Sequence, residues 1–240
     1  MINKAPGLVR KERLSACAAC HCLGVIAFAD DIAMVTWSPE EAQRILDVMS
    51  AFATEQKITW APEKCVFLAS QQLSLQINGQ ALPQECYFKY LGVMIGIKGI
   101  APKKHIELLC AHAKAKLGYM CSISIMHLGG DLNRVISMYK AFIRPTMEYA
   151  LEICVPNASL IKVLEHCQGD MLHTMLGVPK STSYAAILLL CKMETMEHHW
   201  QAKISSYICH RQLASNDKHI LHSLFNKECI TMMKSSHLIL

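Results

Sequence analysis

Apolar and polar residues alternate in short blocks near the start of the chain, a pattern typical of strands followed by an amphipathic helix. Two apolar runs, Leu23–Ala29 and Ile32–Trp37, flank a pair of aspartates. They predict a β-hairpin with two carboxylates at its tip. Ser38 is followed by a proline and, three residues on, by a glutamate. This combination predicts a capped helix that runs to about Gln56.

Residues 57–100 continue as short apolar runs that are too brief for helices, so we expect further strands here. Asn78 and Gly79 form the two-residue signal of a tight hairpin between two of them. The predicted strands are Ile58–Trp60, Cys65–Ala69, Leu73–Ile77, Gln80–Leu82 and Tyr87–Ile95.

Beyond residue 100 the apolar residues recur at helical spacing, and Gly-Gly, Pro-Asn and Gly-Val-Pro sequences separate the segments. The predicted helices are Pro102 to about Met126, Asp131 to about Ile153, Ala158 to about Leu176, and Thr182 to about Cys209. The pattern therefore predicts an α+β fold with four parts: an irregular lead-in at 1–22, a sheet-and-helix part at 23–100, a helical part at 101–177 and a helical tail at 178–240.

Composition narrows the class of protein. The chain has 240 residues, 52% of them hydrophobic, and a formal net charge of +5, which excludes a wholly disordered or low-complexity protein. No apolar stretch approaches the ~20 residues that a membrane-spanning helix needs, and the N-terminus has no apolar signal region. We expect an intracellular protein without a membrane partner, whose twelve cysteines are reduced thiols.

Asp30 and Asp31 are the first candidates for chemistry. Two adjacent carboxylates between apolar strands are costly to place unless a cation lies beside them. Mg²⁺ prefers carboxylate and water oxygens together with substrate phosphates, so the pair suits a phosphoryl-transfer site. Aspartate is also a common turn residue, and spacing alone favours a plain turn.

A larger set of residues changes that balance. Phe28-Ala29-Asp30-Asp31, followed by an apolar strand and a capped helix, resembles the catalytic hairpin of reverse transcriptases, particularly those of non-LTR (LINE-like) retrotransposons. Further segments resemble this family in the same order along the chain, over about residues 23–205. They are Ile58–Lys64, which ends in a lysine, Phe88–Val93 (FKYLGV), His105-Ile106, Met138–Tyr149 and, in the helical tail, Leu164–Gln168, Met175–Pro179 and Ser181–Ser183.

The resemblance implies a partial polymerase palm, an antiparallel sheet with a helix, followed by an all-helical thumb and tail. It implies that Asp30 and Asp31 bind Mg²⁺ and that Lys64 lies near the incoming triphosphate. An exposed, solvated lysine is an equally good interpretation of Lys64. The strand that supports the primer terminus would contain Phe88, Tyr90, Leu91 and Gly92.

The chain also departs from the family. The family's metal site uses another aspartate on a strand well upstream of the hairpin, but residues 1–27 contain one acidic residue, Glu12. Two carboxylates cannot satisfy two octahedral ions. We therefore expect a catalytically incomplete RNA-directed DNA polymerase fragment, with an exposed sheet edge beside the hairpin. Completion by another chain is the alternative.

Five lysines lie within nineteen residues that contain a single acid, Glu107. On the thumb helix they would form a basic strip for the phosphates of an RNA or DNA template–primer, although a solvated helix face is the plainer interpretation. An alternative function is a non-catalytic nucleic-acid-binding or protein-interaction module. The lysines are Lys98, Lys103, Lys104, Lys114 and Lys116.

Cys17, Cys20, His21 and Cys22 have ligand types that zinc accepts. A closed zinc site needs a second paired set, and the next cysteine is Cys65, in a predicted strand. We therefore do not expect zinc.

Overall fold

The computed structural model describes residues 17–18, 21–22, 25–122, 131–214 and 237–239. Helices and small antiparallel sheets occur together, so the fold is α+β. The chain divides into two compact units. The first contains residues 1–101 and 217–240, and the second contains residues 102–216. The further division of the helices into parts at 101–177 and 178–240 stays a prediction.

The predicted hairpin around the two aspartates is present in the first unit. Strand β3 (Val25–Phe28) pairs in antiparallel register with β4 (Asp31–Thr36). Ahead of it, β1 (Cys17–Ala18) pairs with β2 (His21–Cys22). The expectation of an irregular lead-in is wrong for these four residues, and the rest of 1–22 lies outside the described residues.

The capped helix is also confirmed, as α1 (Pro39–Glu55). The Ser38 hydroxyl accepts a hydrogen bond from the Glu41 amide at 3.2 Å, and the Glu41 carboxylate accepts one from the Trp37 amide at 3.1 Å. The first bond satisfies an amide that a helix start leaves without an intrahelical partner, and the second ties the residue before the cap to the first turn of the helix. One face of α1 is buried against the sheet: Ala42, Ile45, Leu46, Met49, Phe52 and Ala53.

The central sheet contains a strand from the other end of the chain. Strand β11 (His237–Ile239) lies between β4 and β5 (Phe67–Leu68) and runs antiparallel to both. The strand order is β3-β4-β11-β5. Residues Met34–Thr36 therefore have a strand partner in β11, and β4 pairs with β3 on its other side. Strand β3 is at the end of this order, so among the described residues the expected open edge beside the hairpin lies on β3.

The segment after α1 corrects two predictions. Ile58–Trp60 is not a strand, because Lys57 takes a left-handed conformation (φ 56°) and turns the chain back toward the helix. Ile58 and Trp60 instead pack their side chains against the core. The strand predicted at Cys65–Ala69 shortens to β5, since a 3₁₀ turn precedes it.

The Asn-Gly hairpin is confirmed. Strands β6 (Gln76–Ile77) and β7 (Gln80–Ala81) pair across Asn78 and Gly79. Both turn residues have positive φ, 51° and 75°, as a two-residue turn between antiparallel strands requires.

The strand predicted at Tyr87–Ile95 is in fact two strands of a separate three-stranded sheet. Strand β8 (Tyr87–Tyr90) pairs with β9 (Val93–Gly96), and β10 (Gly99–Ile100) pairs with the other edge of β9. Leu91 and Gly92 have φ of 46° and 82° and form the turn. These two residues were predicted in a primer-supporting strand, so that part of the prediction is wrong.

Among its described residues, the second unit consists of helices joined by short turns and loops. A π-helical turn, Tyr139–Ile143, joins its second and third helices. Residues with left-handed backbone conformation interrupt two of the predicted helices. Ala150 (φ 59°) interrupts the helix predicted from Asp131 to about Ile153, and Lys192 (φ 49°) interrupts the helix predicted from Thr182 to about Cys209. The helices are α2 (Pro102–Ser122), α3 (Leu132–Met138), α4 (Arg144–Met147), α5 (Leu151–Cys154), α6 (Ala158–Leu176), α7 (Tyr184–Leu190) and α8 (Met196–Ala214).

A chain of hydrogen bonds crosses the core of the second unit. The hydroxyl of Tyr139, which is fully buried, donates to Gln168 Oε1 at 2.8 Å. Gln168 Nε2 donates to the Tyr184 hydroxyl at 2.8 Å, and that hydroxyl donates to Glu165. These hydrogen bonds connect the π-helical turn to α6 and α7.

Among the described helices, none is long and apolar enough to cross a membrane.

Candidate functional site

The β3–β4 hairpin places the two aspartates at different positions in its turn. Asp30 lies in the turn itself, next to Ala29, which has a φ of 53°. Asp31 is the first residue of β4 and pairs with Phe28 across the hairpin. Both aspartates are exposed, and so is Phe28, at 62%. Strand β3 therefore lies partly at the surface, although its sequence is apolar.

A cavity of ≈ 630 Å³ in the first unit joins the hairpin to two other segments. Its lining includes Asp30 and Asp31 from the hairpin, Lys64 from the segment after α1, and Phe88 and Tyr90 from β8. The structure thus brings together five predicted site residues that three separate parts of the sequence supply. Leu91 and Gly92, in the turn after β8, are not part of this lining.

The base of the cavity is apolar. The apolar face of α1 and one face of β4 supply it, so the residues that fix the helix on the sheet also shape the cavity. Close packing around the base holds the polar residues of the rim in place. The buried residues of the base are Met34, Leu46, Met49, Phe52, Ala53, Ile77 and Leu82.

Two hydrogen-bond donors in the lining lack partners. Within the described residues, neither Trp60 Nε1 nor the Tyr90 hydroxyl has a hydrogen-bond partner, although both atoms are buried. Unpaired buried donors are rare because each carries a desolvation cost. A ligand with acceptor oxygens would satisfy both. Trp60 was not selected as a candidate site residue from the sequence. The feature that could have indicated it is an indole N–H donor only four residues before Lys64.

Electrostatics link β8 to the hairpin. Burial raises the pKa of the Tyr90 hydroxyl above its usual value, and the negative charge of Asp31 raises it further. Burial, followed by the charge of Glu63, also raises the pKa of the Cys65 thiol. Cys65 Sγ donates a hydrogen bond to the Ala61 carbonyl at 3.4 Å. This thiol therefore stays protonated at neutral pH and is a poor nucleophile.

Asp30 and Asp31 provide hard oxygen ligands of the kind that Mg²⁺ prefers. One hydrated ion held by one or two carboxylates and a substrate phosphate suits this donor set. The described residues contain no cluster of three or more His, Cys, Asp or Glu side chains that could hold a metal ion. Cys20 lies outside the described residues, so the prediction about zinc stays untested.

The predicted basic strip is broken up. Lys98 is an exposed residue between β9 and β10 in the first unit, whereas the other four lysines are on α2 in the second. On a helix with about 3.6 residues per turn, Lys114 and Lys116 project from nearly opposite sides. A single strip is therefore wrong, although all five side chains are exposed.

Three of these lysines also have partners within the second unit. Lys104 forms an ion pair with Glu107 at 3.0 Å, and Lys114 forms one with Asp170 at 3.8 Å. Lys116 donates a hydrogen bond to the Thr146 hydroxyl at 2.6 Å. The two carboxylates reduce the positive charge that α2 offers to phosphates, whereas the neutral Thr146 hydroxyl only orients Lys116.

Comparison with models of known protein families gives a match in the first part of the chain. Residues 2–95 match the family model described as reverse transcriptase (RNA-dependent DNA polymerase). The matched region is less than half of the chain and contains the hairpin, Lys64 and β8. It supports a reverse transcriptase-derived domain in this part of the chain. No curated protein and no solved structure matches significantly.

Proposed function

We propose that the chain is a reverse transcriptase-derived domain of non-LTR (LINE-like) type that binds a primer terminus at the cavity beside Asp30 and Asp31. One observation carries this proposal: the hairpin carboxylates, Lys64 and β8 line the same cavity. The family match to residues 2–95 supports the same conclusion.

Five residues of the cavity lining, and Phe28 on the adjacent hairpin, then have roles that suit their chemistry. Asp30 and Asp31 hold a hydrated Mg²⁺ with the phosphates of the nucleic acid. Lys64 supplies positive charge beside those phosphates. Trp60 Nε1 and the Tyr90 hydroxyl donate hydrogen bonds to sugar or phosphate oxygens, and Phe28 offers an exposed ring to a base.

The same proposal states that the 240-residue chain does not polymerise alone. Two carboxylates satisfy at most part of a two-ion centre, and the described residues add no third ligand nearby. The chain therefore binds a primer–template without extending it. The helices of the second unit act as the thumb, where the exposed lysines of α2 contact phosphates.

A non-catalytic binding module is the second candidate function. The donor set of the cavity favours it, since that set can bind phosphate oxygens without completing a polymerase centre. The two candidates share nucleic-acid binding and differ in whether a complementing chain restores synthesis.

Primer extension and primer–template binding test the proposal together. We expect no extension with Mg²⁺ or Mn²⁺, and binding that weakens steeply as salt rises, because phosphate contacts release counterions. Lys64→Ala should weaken binding about tenfold. Lys162→Ala, at an exposed lysine of α6, is the matched control and should change binding by less than about twofold.

Two results would contradict the proposal. Nucleotide incorporation that disappears in Asp30→Asn would show a complete active site in this chain. Binding that is insensitive to salt and to Lys64→Ala would show that the cavity is not a nucleic-acid site.

A further inference from the structure

The central sheet of the first unit contains a gap one strand wide. Strands β4 and β5 are not paired with each other, and β11 fills the space between them. His237, Leu238 and Ile239 are in register with Thr36, Val35 and Met34 on one side. On the other side, Leu238 and Ile239 are in register with Leu68 and Phe67.

An empty gap would be costly. Met34, Thr36, Phe67 and Leu68 are all buried beside it. Two facing strand edges without a strand between them would leave rows of amides and carbonyls without partners. The gap therefore requires one extended strand, antiparallel to both neighbours.

The strand that fills the gap is remote in sequence. Residues 215–236 separate it from the last residue of α8, Ala214, which belongs to the second unit. Only three described residues tie β11 to the sheet, whereas β4 has six residues. Few contacts have to break for β11 to leave.

We propose that this gap is a docking site for a strand from a second copy of the chain, so that two copies exchange their β11 strands and form a dimer. The same three residues supply identical contacts in either case, since the segment that fits the gap within one chain also fits it in another. Exchange of an identical element is a low-cost route to dimers.

Concentration decides between the two arrangements. A strand on its own chain competes with a strand on another molecule through its effective concentration, which for tethered partners is roughly a millimolar. The monomer therefore dominates dilute solutions, and exchange becomes measurable as the protein concentration approaches that range. A variant whose own β11 cannot pair should accept a strand from another molecule readily.

A labelled peptide of residues 234–240 tests the docking site directly on the full chain. Leu238→Pro removes an amide from the middle of β11 and prevents strand pairing, while Leu238→Val is the matched control. In fluorescence anisotropy, the peptide should bind Leu238→Pro at least tenfold more tightly than it binds the wild type or Leu238→Val. Equal binding to the three chains, or binding to none, would overturn the proposal.

The wild-type chain gives a second test if Leu238→Pro does not fold. Light scattering during size-exclusion chromatography should show a dimer whose fraction rises with protein concentration and falls when unlabelled peptide is added in excess. A chain that stays monomeric up to roughly 1 mM, or a dimer that the peptide does not reduce, would also overturn it.

Discussion

Phe28 and Asp31 form a directly opposed pair across the β3–β4 hairpin, with Ala29 and Asp30 as the two residues of the turn between them. Directly opposed residues of antiparallel strands project from the same face of the sheet. The hairpin therefore presents an exposed aromatic ring beside an exposed carboxylate. This arrangement suits a ligand that has both a base and a phosphate.

The turn between this pair contains a strained residue. Ala29 has a φ of 53°, a conformation that costs an L-residue about 1–2 kcal/mol and glycine almost nothing. Ala29→Gly should raise the free energy of unfolding by about 0.5–1 kcal/mol after the entropy cost of glycine is subtracted. Urea unfolding of the full chain measures the change.

Ala27→Gly provides the comparison for this turn. Ala27 lies within β3, opposite Ile32, where glycine should lower stability by about 0.5–1 kcal/mol. Opposite signs for the two substitutions are expected. A loss of stability in both would show that Ala29 is not strained.

Local signals in the sequence were sufficient for some elements. Ser38 and Glu41 predicted the start of α1, because a helix cap depends only on residues within one turn. Asn78 and Gly79 predicted the turn between β6 and β7 for the same reason. Tyr87–Ile95 was misjudged because its apolar run hides the turn at Leu91.

Elements whose structure depends on residues far away in the sequence could not be predicted from local sequence patterns. Ile58 and Trp60 pack on the core without a strand partner, which their apolar pattern alone does not reveal. Strand β11 pairs with β4 across two hundred residues of sequence, so no local pattern predicts it. The resemblance of short motifs predicted that Asp31, Lys64 and Tyr90 belong to one site, and the structure places all three in the lining of one cavity, to which it adds Trp60.

A buried carboxylate in the second unit predicts a large effect on stability. The Glu148 side chain is 7% exposed and lies 2.7 Å from Arg144, 2.9 Å from His199 and 3.0 Å from Lys203. Its removal leaves the largely buried Arg144 without an acidic partner among the described residues, while Lys203 keeps only Glu152. Glu148→Gln should therefore lower the free energy of unfolding by about 3 kcal/mol in denaturant titrations.

Glu152→Gln is the control for that substitution. Glu152 is more exposed and lies 3.7 Å from Lys203. Its loss should cost less than about 1 kcal/mol. Equal losses in the two variants would show that burial of Glu148 does not determine its contribution.

Burial raises the pKa of the Cys154 thiol to about 11. The thiolate is the reactive form, so iodoacetamide should alkylate the exposed Cys86 at least tenfold faster than Cys154 in the folded chain at pH 8.5. Mass spectrometry of timed digests measures both rates. Similar rates would show that Cys154 is accessible and ionises normally.

The raised pKa of Cys154 also predicts how the free energy of unfolding depends on pH. A free cysteine ionises near pH 8.5, so the unfolded chain loses this proton first as pH rises. The stabilising contribution of Cys154 is present below about pH 8.5 and is lost as pH rises through about 11. Unfolding titrations should therefore show a steeper loss of stability above pH 8.5 in the wild type than in Cys154→Ala.

The central claim is that the carboxylates of Asp30 and Asp31 form a cation-binding site in the lining of the cavity. Paramagnetic broadening of NMR signals by Mn²⁺ tests this claim most directly. In the wild type, Mn²⁺ should broaden the Nε1–H signal of Trp60, which lines the same cavity. The control Asp47→Asn changes an exposed acid of α1 that bonds Gln43, outside the cavity, and should behave like the wild type. The account predicts that Asp30→Asn combined with Asp31→Asn abolishes the broadening, and unchanged broadening in that variant would contradict it.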